Sequence, residues 1–228
     1  MNIVYLLFKS FRDKGFVRTM RIVLLHVQDL TFDYKYKTDT SYWAELSTLA
    51  VVGGNKEHGV QYQPTQERSL RRIFREVGFP KSGLFLDIGC GKGRVLMIAS
   101  DYGFRRLCGV DFSELLCRIA RANLAIYSKA VSHVIQYEIT HADAAIYEIH
   151  DEASVIFLNN PFDETVMYPV VTNVLASLRR RPRDLCVIYA NPTCRRLFDE
   201  AGIFSVVAEY ETAQLKYLIY RCAYPQER

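Results

Sequence analysis

From residue 84 onward the sequence predicts an α/β fold: a seven-stranded, mostly parallel sheet with helices on both faces and a C-terminal antiparallel β-hairpin, preceded by an N-terminal helical extension. Three observations predict it. Short apolar runs alternate with stretches of helical periodicity, which implies right-handed crossovers and a parallel sheet covered on both faces. The last two apolar runs are joined by Glu209 to Gln214, too short a link for a helix, so they must pair antiparallel. The chain has 228 residues, 50% of them hydrophobic, enough to bury a substantial core in one domain.

Residues 1–30 read as one or two amphipathic helices, in which Val17, Met20, Ile22, Val23, Leu24, Leu25, Val27 and Leu30 interleave with Arg18, Arg21 and His26. Such a stretch is either a helix packed on the body, the preferred reading, or a basic helix making peripheral contact with a membrane surface. The aromatic and polar run from Phe32 to Tyr42 lacks helical periodicity and reads as a loop. Gly53-Gly54-Asn55 and His58-Gly59 are turn signals. Residues 1–60 are thus an N-terminal extension or lid, and residues 61–228 the main domain.

A helix follows Pro64-Thr65, with Leu70, Ile73, Phe74 and Val77 apolar against Arg68, Arg71, Arg72 and Arg75; Gly78 closes it, with Pro80 beyond. Strands follow at 84–88, 107–110, 134–139, 155–158 and 185–189, with helices between them at about 92–101, 114–128, 164–178 and 193–201. The hairpin strands are 204–208 and 215–220.

Composition excludes several classes. No run reaches 18 apolar residues, so no ordinary transmembrane helix is expected, and no signal-peptide cleavage pattern follows the short apolar start. The six cysteines form no C-x-x-C pair and no zinc-finger spacing, so no metal site is expected; Cys108, Cys186 and Cys222 lie in apolar runs as small hydrophobes. A reducing, cytoplasmic location is the expectation. Net charge is +4, and residues 1–80, with 12 Lys+Arg against 8 Asp+Glu, account for all of it. That surplus is weak support for nucleic acid as a partner.

The chemistry concentrates at predicted strand ends. The loop Asp87-Ile88-Gly89-Cys90-Gly91-Lys92-Gly93-Arg94 leaves a buried strand and enters a helix, where ligands of open α/β folds bind. Gly89, Gly91 and Gly93 let backbone and ligand approach closely. Arg94 stands where a dinucleotide enzyme would have its last glycine, and Asp87 suits a cationic ligand such as an amino acid's ammonium group. Asp111, followed by Phe112, ends the next strand and can accept both hydroxyls of a ribose. Asp143 ends the one after it and can accept from an adenine amino group, with the backbone N–H of Ala144 beside it. Each aspartate alone could be a helix cap; three at successive strand ends point to a nucleoside ligand.

The strand after these ends in Asn159-Asn160-Pro161-Phe162. Pro161 stiffens the turn, and the Asn160 carbonyl with a backbone acceptor beside the ring of Phe162 would orient an amine nucleophile. The alternative is an Asn-Pro turn with a packed Phe. Tyr34, Tyr36, Trp43 and Tyr62 are candidates for a substrate channel, or core residues, and His58 and Asp39 are loop residues that could reach a ligand. The run Arg179-Arg180-Arg181-Pro182-Arg183 reads as a solvated loop at a helix C-terminus, with phosphate binding as the minor alternative.

With these residues in place, the stretch 62–223 resembles the seven-strand, Rossmann-like (class I) S-adenosylmethionine-dependent methyltransferases. It is most similar to the non-SET histone-lysine and mitochondrial lysine methyltransferases, while residues 1–55, particularly Phe32-Asp33-Tyr34 to Asp39-Thr40-Ser41, resemble uncharacterised bacterial members of the superfamily. The points of resemblance are Tyr62-Gln63-Pro64-Thr65, the loop from Asp87 to Arg94, and Val155 to Phe162. The resemblance implies S-adenosyl-L-methionine as cofactor, with S-adenosyl-L-homocysteine as product. Tyr62 and Thr65 would close over the cofactor. Asp87, Gly89, Gly91, Gly93 and Arg94 would hold its methionine end, Asp111 and Phe112 its ribose, and Asp143 and Ala144 its adenine. Asn160 would sit at the transferable methyl, with Pro161, Phe162 and Tyr62 completing the catalytic set. The expected reaction is methyl transfer to an amine nitrogen, with a protein lysine as the favoured acceptor. A nucleic-acid or small-molecule acceptor, or a non-catalytic cofactor-binding partner subunit, are the alternatives.

Overall fold

A computed structural model describes residues 15–16, 20, 27, 30–41, 64–159, 162–212 and 215–222. Trp43, the turn signals at 53–59, His58, Tyr62, Asn160, Pro161 and most of the predicted helix over 1–30 lie outside these residues.

The elements, in chain order, are α1 (Glu67–Val77), β1 (Leu84–Ile88), α2 (Arg94–Tyr102), β2 (Arg106–Asp111), α3 (Glu114–Ala130), β3 (Gln136–His141), β4 (Ala153–Asn159), α4 (Glu164–Arg180), β5 (Leu185–Ala190), α5 (Arg195–Glu200), β6 (Ser205–Glu211) and β7 (Lys216–Cys222). The strands form one sheet in the order β3-β2-β1-β4-β5-β7-β6. The first five are parallel, while β7 runs antiparallel to both β5 and β6. Chain order reverses between β1 and β4, which opens a crevice at their carboxyl ends.

The central strands β1, β4 and β5 are buried on both faces, and their alternating side chains feed two cores. Phe85, Val155, Phe157 and Ile188 join one core with Phe74 of α1, Leu96 of α2 and Leu124 of α3, while Leu86, Ile88, Ile156 and Val187 join the other with Val170 of α4 and Phe198 of α5. Phe74 anchors the first, edge-to-face with Phe79 and Phe85 and stacked on Tyr102. α1 ends as the sequence requires: Gly78 adopts φ +70, and its N–H donates to the Phe74 carbonyl. A Cβ at Gly109 in β2 would lie 2.8 Å from Ile139 Cδ1 and 2.9 Å from Cys90 Sγ, so those side chains would have to shift to admit one.

Four expectations are corrected. Residues 30–36 are helical, not a loop, and turn at Lys37 (φ +57). Their inward side chains are aromatic: Phe32 and Tyr36 are buried, with Tyr36 edge-to-face on Tyr127, so Tyr36 is core and not a channel wall. β3 lies two residues later than predicted. It is an edge strand aligned by pairing Arg106 with Gln136 and Asp111 with His141, which leaves Val134 before the strand and exposed. The hairpin strands run longer than predicted, to Glu211 and Cys222, and are closed by Thr212 N–H donating to the Leu215 carbonyl. Among the described residues of the N-terminal stretch, Phe16, Met20, Val27 and Leu30 are helical and partly exposed.

The arginine run serves the fold. Arg180 pairs with Asp151 and Glu148, and Arg183 donates to the Ser177, His150 and Ala153 carbonyls. All six cysteines are free thiols; Cys108, Cys186 and Cys222 are buried as small hydrophobes.

Candidate active site

The glycine loop follows directly from β1. Gly89 and Cys90 donate to the Val110 carbonyl at 2.8 and 3.0 Å, which folds the loop over the end of β2. Gly91 and Gly93 take φ +52 and +82, a left-handed backbone that a side chain would strain. Gly93 also packs against α3, where a Cβ would meet that of Ala120 at 3.4 Å.

Two buried carboxylates flank this loop. Asp87 is 2% exposed, and its Oδ2 has no hydrogen-bond partner among the described residues. Burial, reinforced by the charge of Asp111, holds its carboxyl well above the usual carboxylate range. Asp111 is also buried; its Oδ2 accepts from the Gly91 N–H and its Oδ1 from the Ser113 N–H, each at 2.9 Å. Burial pushes its pKa up to about 6 despite these bonds. Neither carboxylate has an ion pair among the described residues. A ligand carrying an ammonium group and hydroxyl donors would complete both, so the donor set fits the methionine and ribose ends of S-adenosylmethionine.

The neighbouring strand ends are tied together. Ala142 N–H donates to the Asp111 carbonyl at 3.0 Å, and Asp143 Oδ1 accepts from the Ala145 N–H at 2.9 Å, which sets the turn that carries buried Ala144. His141 braces Phe112: its Nε2 lies 3.2 Å from the Phe112 carbonyl and its Nδ1 2.8 Å from Glu114 Oε2. Across the crevice, Asn159 Nδ2 donates to the buried Thr65 Oγ1 at 3.2 Å. The end of β4 and the Pro64-Thr65 step, far apart in sequence, thus meet beside the loop.

Of the predicted site residues that are described, Thr65, Asp87, the loop glycines, Asp111 and Asp143 lie toward one sheet edge, with differences in detail. Phe162 is buried in the core that contains Val166 and Val170. Arg94 is 2% exposed, and its guanidinium donates to Thr40 and Ser41. Asp39 meets Lys92, and Tyr34 is exposed. Cys90 is buried, and burial pushes its thiol well above the ordinary value.

Three residues carry more than sequence reasoning gave them. His141 was only a flank of Asp143. Asn159 was half of an amide pair in which Asn160 took the role. Asn191 went unmarked, although Asn191-Pro192 echoes Asn160-Pro161 one strand over. Ala190 pairs in register with Asn159, and Asn191 follows at the same edge with φ +49, its N–H donating to the Lys216 carbonyl. Asn is one of the few non-glycine residues that take this left-handed backbone readily.

A family model described as Histone methylation protein DOT1 matches residues 59–191, more than half of the chain. A protein-lysine N-methyltransferase of Saccharolobus islandicus (strain REY15A) is 32% identical over 66 residues, which cover 28% of this chain and 41% of that protein. The chain thus matches less than half the length of this relative. The fold is similar to that of a ribosomal protein L11 methylase from Lactobacillus delbrueckii subsp. bulgaricus, with TM-score 0.53 and 14% identity over 72% of this chain and 81% of that one. It is also similar to a 1,6-didemethyltoxoflavin-N1-methyltransferase of Burkholderia thailandensis, with TM-score 0.51 and 16% identity over 69% and 78% of the two chains. Among the described residues, no helix is long and apolar enough to cross a membrane. The loop, the paired carboxylates, the sheet order and the family match agree: the chain belongs to the DOT1 histone methylation protein family, within the class I S-adenosylmethionine-dependent methyltransferases.

Proposed function

We propose that this protein transfers a methyl group from S-adenosylmethionine to an amine nitrogen, with a protein lysine as the acceptor. The observation that carries the reading is the crevice between β1 and β4, where the Asp87 and Asp111 carboxylates stand at one side and the Thr65–Asn159 pair at the other. The choice of lysine rests on the similarity to the protein-lysine N-methyltransferase of Saccharolobus islandicus.

The sulfonium cofactor supplies a methyl group that is already activated, so the protein's work is positioning and exclusion of water. Asp87 would receive the ammonium group, Asp111 the ribose hydroxyls, and Asp143 the adenine amino group. Gly89, Gly91 and Gly93 would give the backbone close approach, while Phe112 and Ala144 line the nucleoside and Tyr62 and Thr65 cover it. Asn160, with Pro161 and Phe162, would orient the attacking nitrogen through its carbonyl. A lysine amine must shed a proton first, from an ordinary pKa of about 10.4. Desolvation in an apolar site favours its neutral form. Residues 61–228 are the methyltransferase domain in this reading, and residues 1–60 an N-terminal extension, of which Asp39 to Ser41 lie beside the cofactor loop.

The test is transfer of labelled methyl to proteins of a lysate, followed by hydrolysis to amino acids. Labelled methyl-lysine that vanishes with Asn160→Ala is expected. Label in nucleic acid or a small molecule alone would overturn the lysine assignment, and no transfer by protein that binds the cofactor would favour a non-catalytic subunit.

Asp87→Asn is expected to separate stability from binding. A folded-state carboxyl raised above its unfolded value contributes stability that is present at low pH and lost as pH rises through the folded value. The amide removes that loss, so the variant should be more stable than wild type at pH 8 in urea unfolding. Its affinity for S-adenosylmethionine should fall about tenfold or more.

A further inference from the structure

We infer that residues 32–41 are a clasp that positions the cofactor loop, fastened to the side chains of Lys92 and Arg94; the inference rests on the reading of that loop as the S-adenosylmethionine site. The clasp is organised by one carboxylate. Asp33 is buried, and it accepts from the Thr40 hydroxyl at 2.6 Å, the Thr40 N–H at 2.9 Å, the Ser41 N–H at 2.7 Å and the Thr38 hydroxyl at 3.0 Å. These bonds set Thr40 and Ser41 as acceptors for the loop. Arg94 Nε donates to Thr40 Oγ1 at 2.7 Å, its terminal nitrogen donates to Ser41 Oγ at 2.9 Å, and the guanidinium lies 5.1 Å from the ring centroid of Phe32.

A second fastening lies two residues earlier. Lys92, 4% exposed, reaches Asp39 Oδ1 at 3.0 Å. Asn123 of α3 bridges arm and loop: its Nδ2 donates to the carbonyls of Asp39 and Lys92 at 2.9 and 3.0 Å, and its Oδ1 accepts from the Asp39 N–H at 2.9 Å. Gly93 sits between the two fastened cations, and Gly91 is held by Asp111. The loop is thereby gripped on one side by the β2 end and on the other by the arm. A buried arginine needs its planar fork of donors matched, and the hydroxyls of Thr40 and Ser41, aligned by Asp33, accept from two of its nitrogens. Ligand affinity depends on a preformed site, so a loosened clasp should show as lost cofactor affinity.

The test measures S-adenosylmethionine binding by calorimetry on the full chain, with hydrogen exchange at the Gly91–Val95 amides as a second reading. Asp33→Ala and the double variant Thr40→Val/Ser41→Ala should bind about tenfold more weakly and exchange faster at those amides. Thr40→Ser, which keeps the hydroxyl, should bind within about twofold of wild type. Asp39→Ala alters a half-exposed side chain with little threat to folding, and it should weaken binding about threefold. Unchanged affinity in Asp39→Ala together with either arm variant, whatever the change in melting temperature, would overturn the clasp and leave the arm purely structural. Wild-type protein that binds no S-adenosylmethionine would overturn the cofactor reading itself, which is a distinct failure.

Discussion

Asp111→Ala is expected to weaken S-adenosylmethionine binding about 100-fold, or about 2.8 kcal/mol. Hydrogen bonds to a charged group contribute about 1.5–3 kcal/mol, and this carboxylate would accept from the ribose while it holds the Gly91 N–H at 2.9 Å. The substitution removes both the ligand's acceptor and the loop's tie. A pH dependence follows from the same group. Burial raises the Asp111 pKa to about 6, and hydroxyl donors favour its charged form. Wild-type affinity should therefore be full above pH 6 and fall as pH drops through it, while the residual affinity of the alanine variant should lack that step. Stability of the unliganded protein moves the opposite way. The contribution from this raised group is complete below its unfolded value, about 3.9, and is lost as pH rises through about 6. Titration calorimetry and urea unfolding across pH 5 to 8 check both signs; affinity flat through pH 6 in wild type would show that Asp111 is not the acceptor.

Asn160→Ala is expected to lower the rate of methyl transfer about 10²–10³-fold while cofactor affinity stays within about twofold. Groups that stabilise developing charge in a transition state act at that scale. Here the amide carbonyl would face a nitrogen that becomes positive as it attacks. Rate loss with retained binding separates an acceptor-side residue from a cofactor-side one. Turnover at the wild-type rate, with binding intact, would remove Asn160 from the reaction and move attention to Asn159 or Asn191.

The sheet was legible because its strands are buried runs bounded by turn residues, and β1 matches the prediction at both ends. The edge strand was less so. β3 has an exposed face, so Val134 looked like strand, and only pairing with β2 places it. The N-terminal arm was misread for a related reason. Its short helix over 30–36 buries Phe32 and Tyr36, too brief a pattern to show a period, and Tyr36 is anchored by donating to Asp101 at 2.7 Å, a residue of α2. In the site, Asp87, Asp111 and Asp143 were legible as acids at strand ends. Arg94 was not: its partners Thr40 and Ser41 lie more than fifty residues upstream, and no spacing rule links a buried guanidinium to them. The Thr65–Asn159 bond, spanning 94 residues, is likewise a product of the fold.

The most direct measurement is calorimetric titration of purified wild-type protein with S-adenosylmethionine, S-adenosylhomocysteine and NAD. Micromolar binding of the first two at one site per chain, with none of the third, is the predicted result. Folded, ligand-free protein that binds neither sulfur nucleoside would contradict it, and the glycine loop would then be a structural turn.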